Sequence, residues 1–335
     1  MDMTFFQDKS VLVTGGTGSF GRRFIERVLA AGKPRRLIVF SRDELKQHEM
    51  RESMPGGASD PMRYFLGDIR DRDRLQRAFH GVDIVVHAAA LKQVPACEYN
   101  PIEAVLTNII GARNVVDAAI DQGVERVLAL STDKAVNPVN IYGATKLCME
   151  KLIVQANVYS GRGQRPFFAC SRYGNVIGSR GSVIPLFMAQ RRSGRVTITD
   201  QRMTRFWLTL DEGVDFVLRC IERMQGGEVF VPKIPSMRIA DLAAALAPGC
   251  AVDVVGIRPG EKLHEVLLSE DEARHARDLD DTYVIMPEGE EQQVPVDQLP
   301  GQALAEGFRY SSDSNDQWFD ARDLERILQE QPSIR

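Results

Sequence analysis

The apolar run Ser10–Thr14 ends in Gly15-Gly16-Thr17-Gly18-Ser19-Phe20-Gly21 and passes directly into an amphipathic stretch, Gly21–Ala31. No other feature limits the fold of this chain as tightly. Glycines at 15, 18 and 21 permit a tight turn and a close approach of backbone to a bound group. The free N–H groups at the helix start then face an anion, and a pyrophosphate suits that place. The strand–turn–helix context predicts a dinucleotide site made by Gly15, Thr17, Gly18, Ser19, Phe20 and Gly21. A plain glycine-rich turn before a helix is the simpler alternative.

The rest of the first half alternates short β-branched runs with helical patterns. Further strands are expected at Arg36–Phe40, Arg63–Leu66, Asp83–His87, Val127–Leu130 and Phe167–Ser171, with amphipathic stretches at Arg70–Phe79 and Pro101–Gln122. This alternation predicts an α/β fold, a Rossmann-type doubly wound parallel sheet with a smaller C-terminal substrate-binding lobe. We expect residues 1–177 to form the dinucleotide domain with a return near 206–233, residues 178–285 the lobe, and 286–335 a tail packed on both. After Arg172 the sequence suggests loops and short elements rather than more sheet, apart from a strand-like return at Glu228–Val231 and a helical pattern near Ala321–Gln329.

With 335 residues the chain can bury an ample core without staples. Its net charge of −4 argues against a general nucleic-acid or anionic-membrane binder. The five cysteines are scattered and odd in number, as in a reduced cytoplasmic protein. No signal pattern opens the chain, and its longest uncharged apolar runs, such as Ile84–Leu91, are too short to span a bilayer. Apolar helix faces at Pro101–Ala119 and Leu147–Val158 suit either a homo-oligomer interface or the core.

The GxxGxxG spacing resembles the extended short-chain dehydrogenase/reductase superfamily. In such a site the second strand ends on the residue that reads the adenosine ribose. Here that segment is Ser41, Arg42, Asp43, Glu44, Leu45 and Lys46. Ser41 and Arg42, with Lys46 one turn on, suit a 2′-phosphate, so NADP, tightly bound and recycled each turnover, is the expected cofactor. Asp43 keeps NAD open as the alternative. Asp68 and Ile69 are assigned to the adenine edge, and Ala88, Ala89 and Ala90 to a close backbone approach. His87 reads as a satisfied core histidine, and Asn108, by the superfamily resemblance, as a local support for the active site.

Tyr142 and Lys146 form YxxxK, on one face of an expected helix. A lysine beside the phenol, with a positively charged oxidised nicotinamide, favours the phenolate, which can take a hydroxyl proton during hydride transfer. Thr132 and the pair Asp133-Lys134 precede it. A plain dehydrogenase needs no second acid–base pair; a 4,6-dehydratase does, to remove the C5 proton and protonate the departing C6 oxygen. Burial would push Asp133 towards the neutral acid and Lys134 towards the neutral amine. An ion pair at a strand end is the simpler reading.

Five blocks then make the resemblance specific: SerThrAspLysAlaValAsnPro at 131–138, IleTyrGlyAlaThrLys at 141–146, ArgTyrGlyAsnValIleGlySerArgGlySerValIlePro at 172–185, MetThrArgPheTrp at 203–207 and ArgProGlyGluLysLeuHisGlu at 258–265. Together with Tyr310–Trp318 they resemble the soluble inverting UDP-N-acetylglucosamine 4,6-dehydratases that begin pseudaminic acid biosynthesis. The resemblance implies UDP-GlcNAc as substrate. It places Lys92, Lys134, Asn175, Ser179, Arg180, Gly181, Ser182, Val183 and Thr199 near the nucleotide sugar, Arg205 and Arg258 on the diphosphate, Glu261 on the uridine ribose and Val176 against the nicotinamide. His264 has no partner at ligand spacing, and no metal is expected. A 4-epimerase, a C5-retaining dehydratase and a non-catalytic NADP-sensing protein are the rival readings.

Overall fold

Ser10–Thr14 is buried at every position, as a strand covered on both faces must be. The structure, a computed structural model, describes residues 3–54, 60–160, 164–178, 183–287 and 300–330. The strands of the first half are β1 (Ser10–Thr14), β2 (Arg36–Ser41), β3 (Met62–Leu66), β4 (Ile84–His87), β5 (Arg126–Leu130) and β6 (Phe167–Ser171). Next come β7 (Asn175–Val176), β8 (Arg195–Ile198), β9 (Thr204–Leu208), β10 (Val229–Pro232), β11 (Ser236–Arg238) and β12 (Ala251–Val254). The last are β13 (Val266–Leu268), β14 (Ala276–Asp278), β15 (Thr282–Ile285), β16 (Gln302–Ala303) and β17 (Tyr310–Ser311).

Ten strands form one sheet in the order β16-β14-β15-β10-β6-β5-β4-β1-β2-β3. The stretch from β3 to β10 is parallel throughout, with Val11 opposite Leu37 on one side and Ile84 on the other. Strand order reverses between β1 and β4, and that switch point opens a crevice at the carboxyl ends of the strands. Helices pack on both faces. One core holds Phe79, Val115, Ile153 and Phe168; the other holds Phe24, Val28, Val214 and Ile221. A third core, with Phe187, Trp207, Met237 and Leu242, is the interior of the smaller lobe. The C-terminal helix Ala321–Glu330 drives Leu324, Ile327 and Leu328 into that third core.

The α/β expectation holds, but residues after Arg172 contribute more sheet than expected. Strand β10 is the return expected at Glu228–Val231; beyond it β15, β14 and β16, not expected as strands, extend the main sheet antiparallel. Val-Phe-Val-Pro and Thr-Tyr-Val-Ile are buried at all four positions, so neither shows the alternation that marks a strand in sequence. Arg172, at the end of β6, is buried and bonds Glu150 of the helix Ile141–Ser160 and Glu272 of the capped turn Glu270–Ala273. This ion triad ties the large sheet, the helix carrying Tyr142 and the second half of the chain together. Among the described residues, no helix is long and apolar enough to cross a membrane.

Candidate active site

The crevice at the β1/β4 switch point is a cleft of about 640 Å³. Gly15, at φ +67°, opens its floor, and a Cβ there would stand 2.9 Å from the backbone of Ala89. Gly21 lets helix meet turn, since a Cβ would come within 2.6 Å of Gly16. Gly18 is the N-cap of the helix Ser19–Ala31 and carries no side chain to fill the space ahead of it. Gly15, Thr17, Gly18, Ser19, Phe20, Gly21, Ala88, Ala89 and Ala90 all line the cleft, as expected of a pyrophosphate site.

At the ends of β2 and β3 the cleft is lined by Ser41, Arg42, Asp43, Lys46, Asp68 and Ile69. Glu44 and Leu45 are exposed and outside the lining, because the helix Glu44–Ser53 begins there and turns them away. Asp43 caps that helix through Lys46 N at 3.0 Å, and Lys46 Nζ returns to Asp43 at 2.6 Å. That contact holds the Asp43 carboxyl below its ordinary range. Arg42 lies 3.5 Å from Asp68, which Arg70 also holds. Both cations expected to grip a 2′-phosphate are therefore paired with carboxylates.

Strand β5 delivers the reacting groups. Thr132 caps the short turn Asp133–Ala135 and donates to Asp133 Oδ1 at 2.9 Å. Lys134 Nζ donates to the same oxygen at 2.9 Å, and Asp133 is fully buried behind the cleft wall. Thr132, Lys134, Tyr142 and Lys146 line the cleft. Burial pushes the Tyr142 phenol up to about 12, against the opposing pull of the Lys134 ammonium and the Thr132 hydroxyl. Burial lowers Lys146 to about 8, and its Nζ donates to Leu130 O at 2.6 Å. The Lys134 ammonium favours the Tyr142 phenolate, while Lys146 Nζ is held by Leu130 O. One expectation needs correction here. Lys134 itself is not a neutral amine: burial opposes its charge, but Asp133 and Glu265 outweigh that and raise it above an ordinary lysine.

Asn108 is buried in a π-helical turn, Leu106–Ile110. It accepts from Leu91 N, donates to Leu91 O and donates to Thr145 Oγ1 at 3.0 Å. One side chain thus joins the loop after β4 to the helix of Tyr142 and Lys146, in line with the support expected of it. His87 is buried and bonds Thr14 Oγ1 at 2.8 Å; burial lowers it to about 3, so it stays neutral.

Lys92, Asn175 and Val176 also line the cleft. Ser179, Arg180, Gly181 and Ser182 lie outside the described residues. Val183 begins the helix Val183–Arg191, and Thr199 bonds Met203 Sδ; neither is part of the lining. Arg205 is buried and spends its donors on the carbonyls of Thr204, Lys262 and Leu263. Arg258 and Glu261 share the turn at 258–261, which Asn140 bonds through Gly260 O at 2.8 Å. Sequence reasoning missed Tyr173 and Gly174, which follow β6 at the cleft. The rule that ligands sit at the carboxyl ends of strands would have found both. It also missed Glu265, 3.5 Å from Lys134, for which no local pattern exists.

Comparison with known proteins fits this geometry. A family described as polysaccharide biosynthesis protein matches residues 11–287. The inverting UDP-N-acetylglucosamine 4,6-dehydratase of Campylobacter jejuni subsp. jejuni serotype O:23/36 is 50% identical over 96% of this chain and 98% of its own. A UDP-glucose 4-epimerase of Rickettsia conorii is 44% identical over 85% of this chain and 84% of its own. Among solved structures, Pen from Bacillus thuringiensis superposes with a TM-score of 0.88 at 38% identity, covering 98% of this chain and 99% of its own. The dTDP-glucose 4,6-dehydratase DesIV of Streptomyces venezuelae, solved with NAD, superposes at 0.66 with 24% identity, over 76% of this chain and 86% of its own. The UDP-glucose 4-epimerase of Thermus thermophilus and MoeE5 were likewise solved with NAD. Together with the pairing of Arg42 and Lys46, these NAD complexes overturn the expectation of NADP. The chain belongs to the polysaccharide biosynthesis protein family, on the branch of the inverting UDP-N-acetylglucosamine 4,6-dehydratases.

Proposed function

We propose that this protein dehydrates UDP-GlcNAc across C4 to C6 with inversion at C5, giving UDP-2-acetamido-2,6-dideoxy-β-L-arabino-hex-4-ulose, the opening step of pseudaminic acid biosynthesis. The observation that carries the reading is the Asp133–Lys134 pair at 2.9 Å, with Lys134 on the cleft wall beside Tyr142 and Asp133 directly behind it. The cofactor is NAD. The glycine floor at Gly15 and the paired Asp43 and Asp68 at the adenosine end suit it, since carboxylates there accept ribose hydroxyls. When bound, it supplies the redox partner for C4 and later for C6, and its positive ring adds to the pull on the Tyr142 proton.

Tyr142 is a phenolate once its own proton has been lost, which the Lys134 ammonium and the cofactor's positive ring favour, and it takes the proton of the 4-hydroxyl as C4 is oxidised. The new 4-ketone makes the C5 hydrogen acidic. The Asp133–Lys134 ion pair holds one mobile proton, and moving it from Nζ to the carboxylate leaves a neutral amine and a neutral acid at the same total charge. Lys134 then removes the C5 proton while Asp133 protonates the C6 oxygen, which leaves as water. The pair ends as it began, ammonium beside carboxylate. Return of the electron pair to C6 and protonation of C5 on the opposite face, from Lys134 or Tyr142, complete the product. A cytoplasmic setting goes with this reading, supported by five unpaired cysteines, three of them buried.

Proton NMR of the protein with UDP-GlcNAc in D₂O tests the reading. A new C6 methyl signal, deuterium at C5 and L-arabino couplings are expected. D-xylo couplings in the first product would keep dehydration and remove inversion. The Rickettsia relatives favour 4-epimerisation as the second reading, and it would appear as UDP-GalNAc without a methyl signal.

A further inference from the structure

The chemistry above leaves a second carboxylate of the same cluster without a role. Glu265 is 2% exposed, and its Oε1 lies 3.5 Å from Lys134 Nζ and 3.6 Å from Arg205 Nε. Its Oε2 lies 3.7 Å from Lys262 Nζ and has no hydrogen-bond partner. A buried carboxylate facing three cations is kept for its charge. Its backbone is fixed from far along the chain: Ser312 Oγ accepts from Glu265 N at 2.9 Å, and Ser312 N donates to Glu265 O at 2.8 Å. Pairing of β13 with β17 continues that attachment.

We propose that Glu265 is a positioning residue for the dehydration: with Asp133 it brackets Lys134 Nζ, fixes where the amine points in the cleft, and sets when the amine gives up its proton. The inference rests on the role given to Lys134 above. A lysine ammonium has three donors on a flexible stem. Asp133, on its own turn, accepts one of them, and Glu265 beside β13 faces the same Nζ as an ion pair at 3.5 Å, so the two carboxylates hold the ammonium from two sides. The other groups facing Lys134 are Tyr142 from its helix, Arg205 from β9, Lys92 from the loop after β4, and Lys262. The three cations among them favour loss of the proton; only the two carboxylates hold it. Removing Glu265 therefore tips a balanced set.

Competitive labelling of the full-length protein with acetic anhydride at pH 8, read by peptide mass spectrometry, measures the free-amine fraction of Lys134. Lys92 lines the same cleft and serves as the access reference. In Glu265→Gln the ratio of Lys134 to Lys92 labelling is expected to rise roughly tenfold, and Glu265→Asp should bring it back towards the parent. In turnover, kcat should fall about 10- to 100-fold with KM within about threefold, and the rising limb of C5 exchange should move about one pH unit lower. An unchanged labelling ratio overturns the proposal, as does a loss of rate at all pH values with the limb unmoved. Ser312→Ala keeps the carboxylate but frees its backbone; a rise of roughly twofold in the same ratio is expected, and none would count against the proposal even where Glu265→Gln does not fold. Failure of the parent protein to exchange C5 would sink the dehydratase reading, while the labelling ratio would still decide whether Glu265 governs Lys134.

Discussion

Arg172 Nη2 meets Glu150 Oε2 at 2.6 Å inside the protein, joining the end of β6 to the helix that carries Tyr142 and Lys146. Glu272 approaches the same nitrogen at 2.6 Å. Glu150→Ala leaves Arg172 paired with Glu272 but removes two hydrogen bonds to a buried charge, so it is expected to lower unfolding free energy by about 3–5 kcal/mol. Urea denaturation followed by circular dichroism measures it, and a loss below about 1 kcal/mol would mean water reaches the site.

Tyr142→Phe keeps the ring in place and removes the proton acceptor for the 4-hydroxyl. Turnover should fall by about 10² to 10⁴, the usual worth of a positioned acid–base group, with UDP-GlcNAc affinity within a few-fold. Stopped assays with titration calorimetry on the same sample separate the two. Loss of affinity in step with rate would place Tyr142 in binding instead.

Lys146 gives a pH dependence of stability. Its folded value is depressed to about 8 from 10.5, so between those values the unfolded chain holds more protons than the native one. Stability contributed by this group therefore rises with pH across that window. Lys146→Met should be the more stable protein below about pH 8, by up to about 3 kcal/mol, and the gap should close towards about pH 10. Urea midpoints of both proteins from about pH 7 to about pH 10 test the sign; a gap that widens with pH would refute it.

Much of this site was legible in the sequence because its parts are adjacent in the chain. Gly15 to Gly21 announce their own geometry, and Asp133 next to Lys134 on a strand end already forms an acid–base pair. Selectivity for the ribose was not legible. Arg42 and Lys46 read as a phosphate grip until Asp68, from a different strand, is seen beside Arg42. Glu265 was hidden for the same reason, since its neighbours come from β5, β9 and the C-terminal segment. The return at Glu228–Val231 was legible as β10, but β14, β15 and β16 escaped because runs of two to four residues carry too little pattern.

Cofactor choice follows from that pairing. NAD should bind at least about tenfold more tightly than NADP, since the one added 2′-phosphate meets Asp43 and Asp68. Asp43→Ala should narrow the preference and cost about 1 kcal/mol of stability through the lost helix cap. Calorimetric titration with both nucleotides checks this, and a parent protein that prefers NADP would sink it.

Asn108→Ala removes three hydrogen bonds at the π-turn. A loss of about 1–3 kcal/mol is expected, with a fall in kcat larger than the change in NAD affinity, because the freed helix carries Tyr142. An unchanged kcat would make Asn108 purely a packing residue.

The attachment of Ser312 to Glu265 divides the working parts of the enzyme by time of synthesis. Among the described residues that line the cleft, all but Leu210 lie at or before Val176, and a growing chain makes them early. The charge cluster around Lys134 waits for a strand that emerges more than a hundred residues later. A chain cut short of Tyr310 keeps almost all of the cleft lining but lacks the strand that fixes Glu265, so NAD retention alone is expected to be a poor measure of how much competent enzyme a preparation contains.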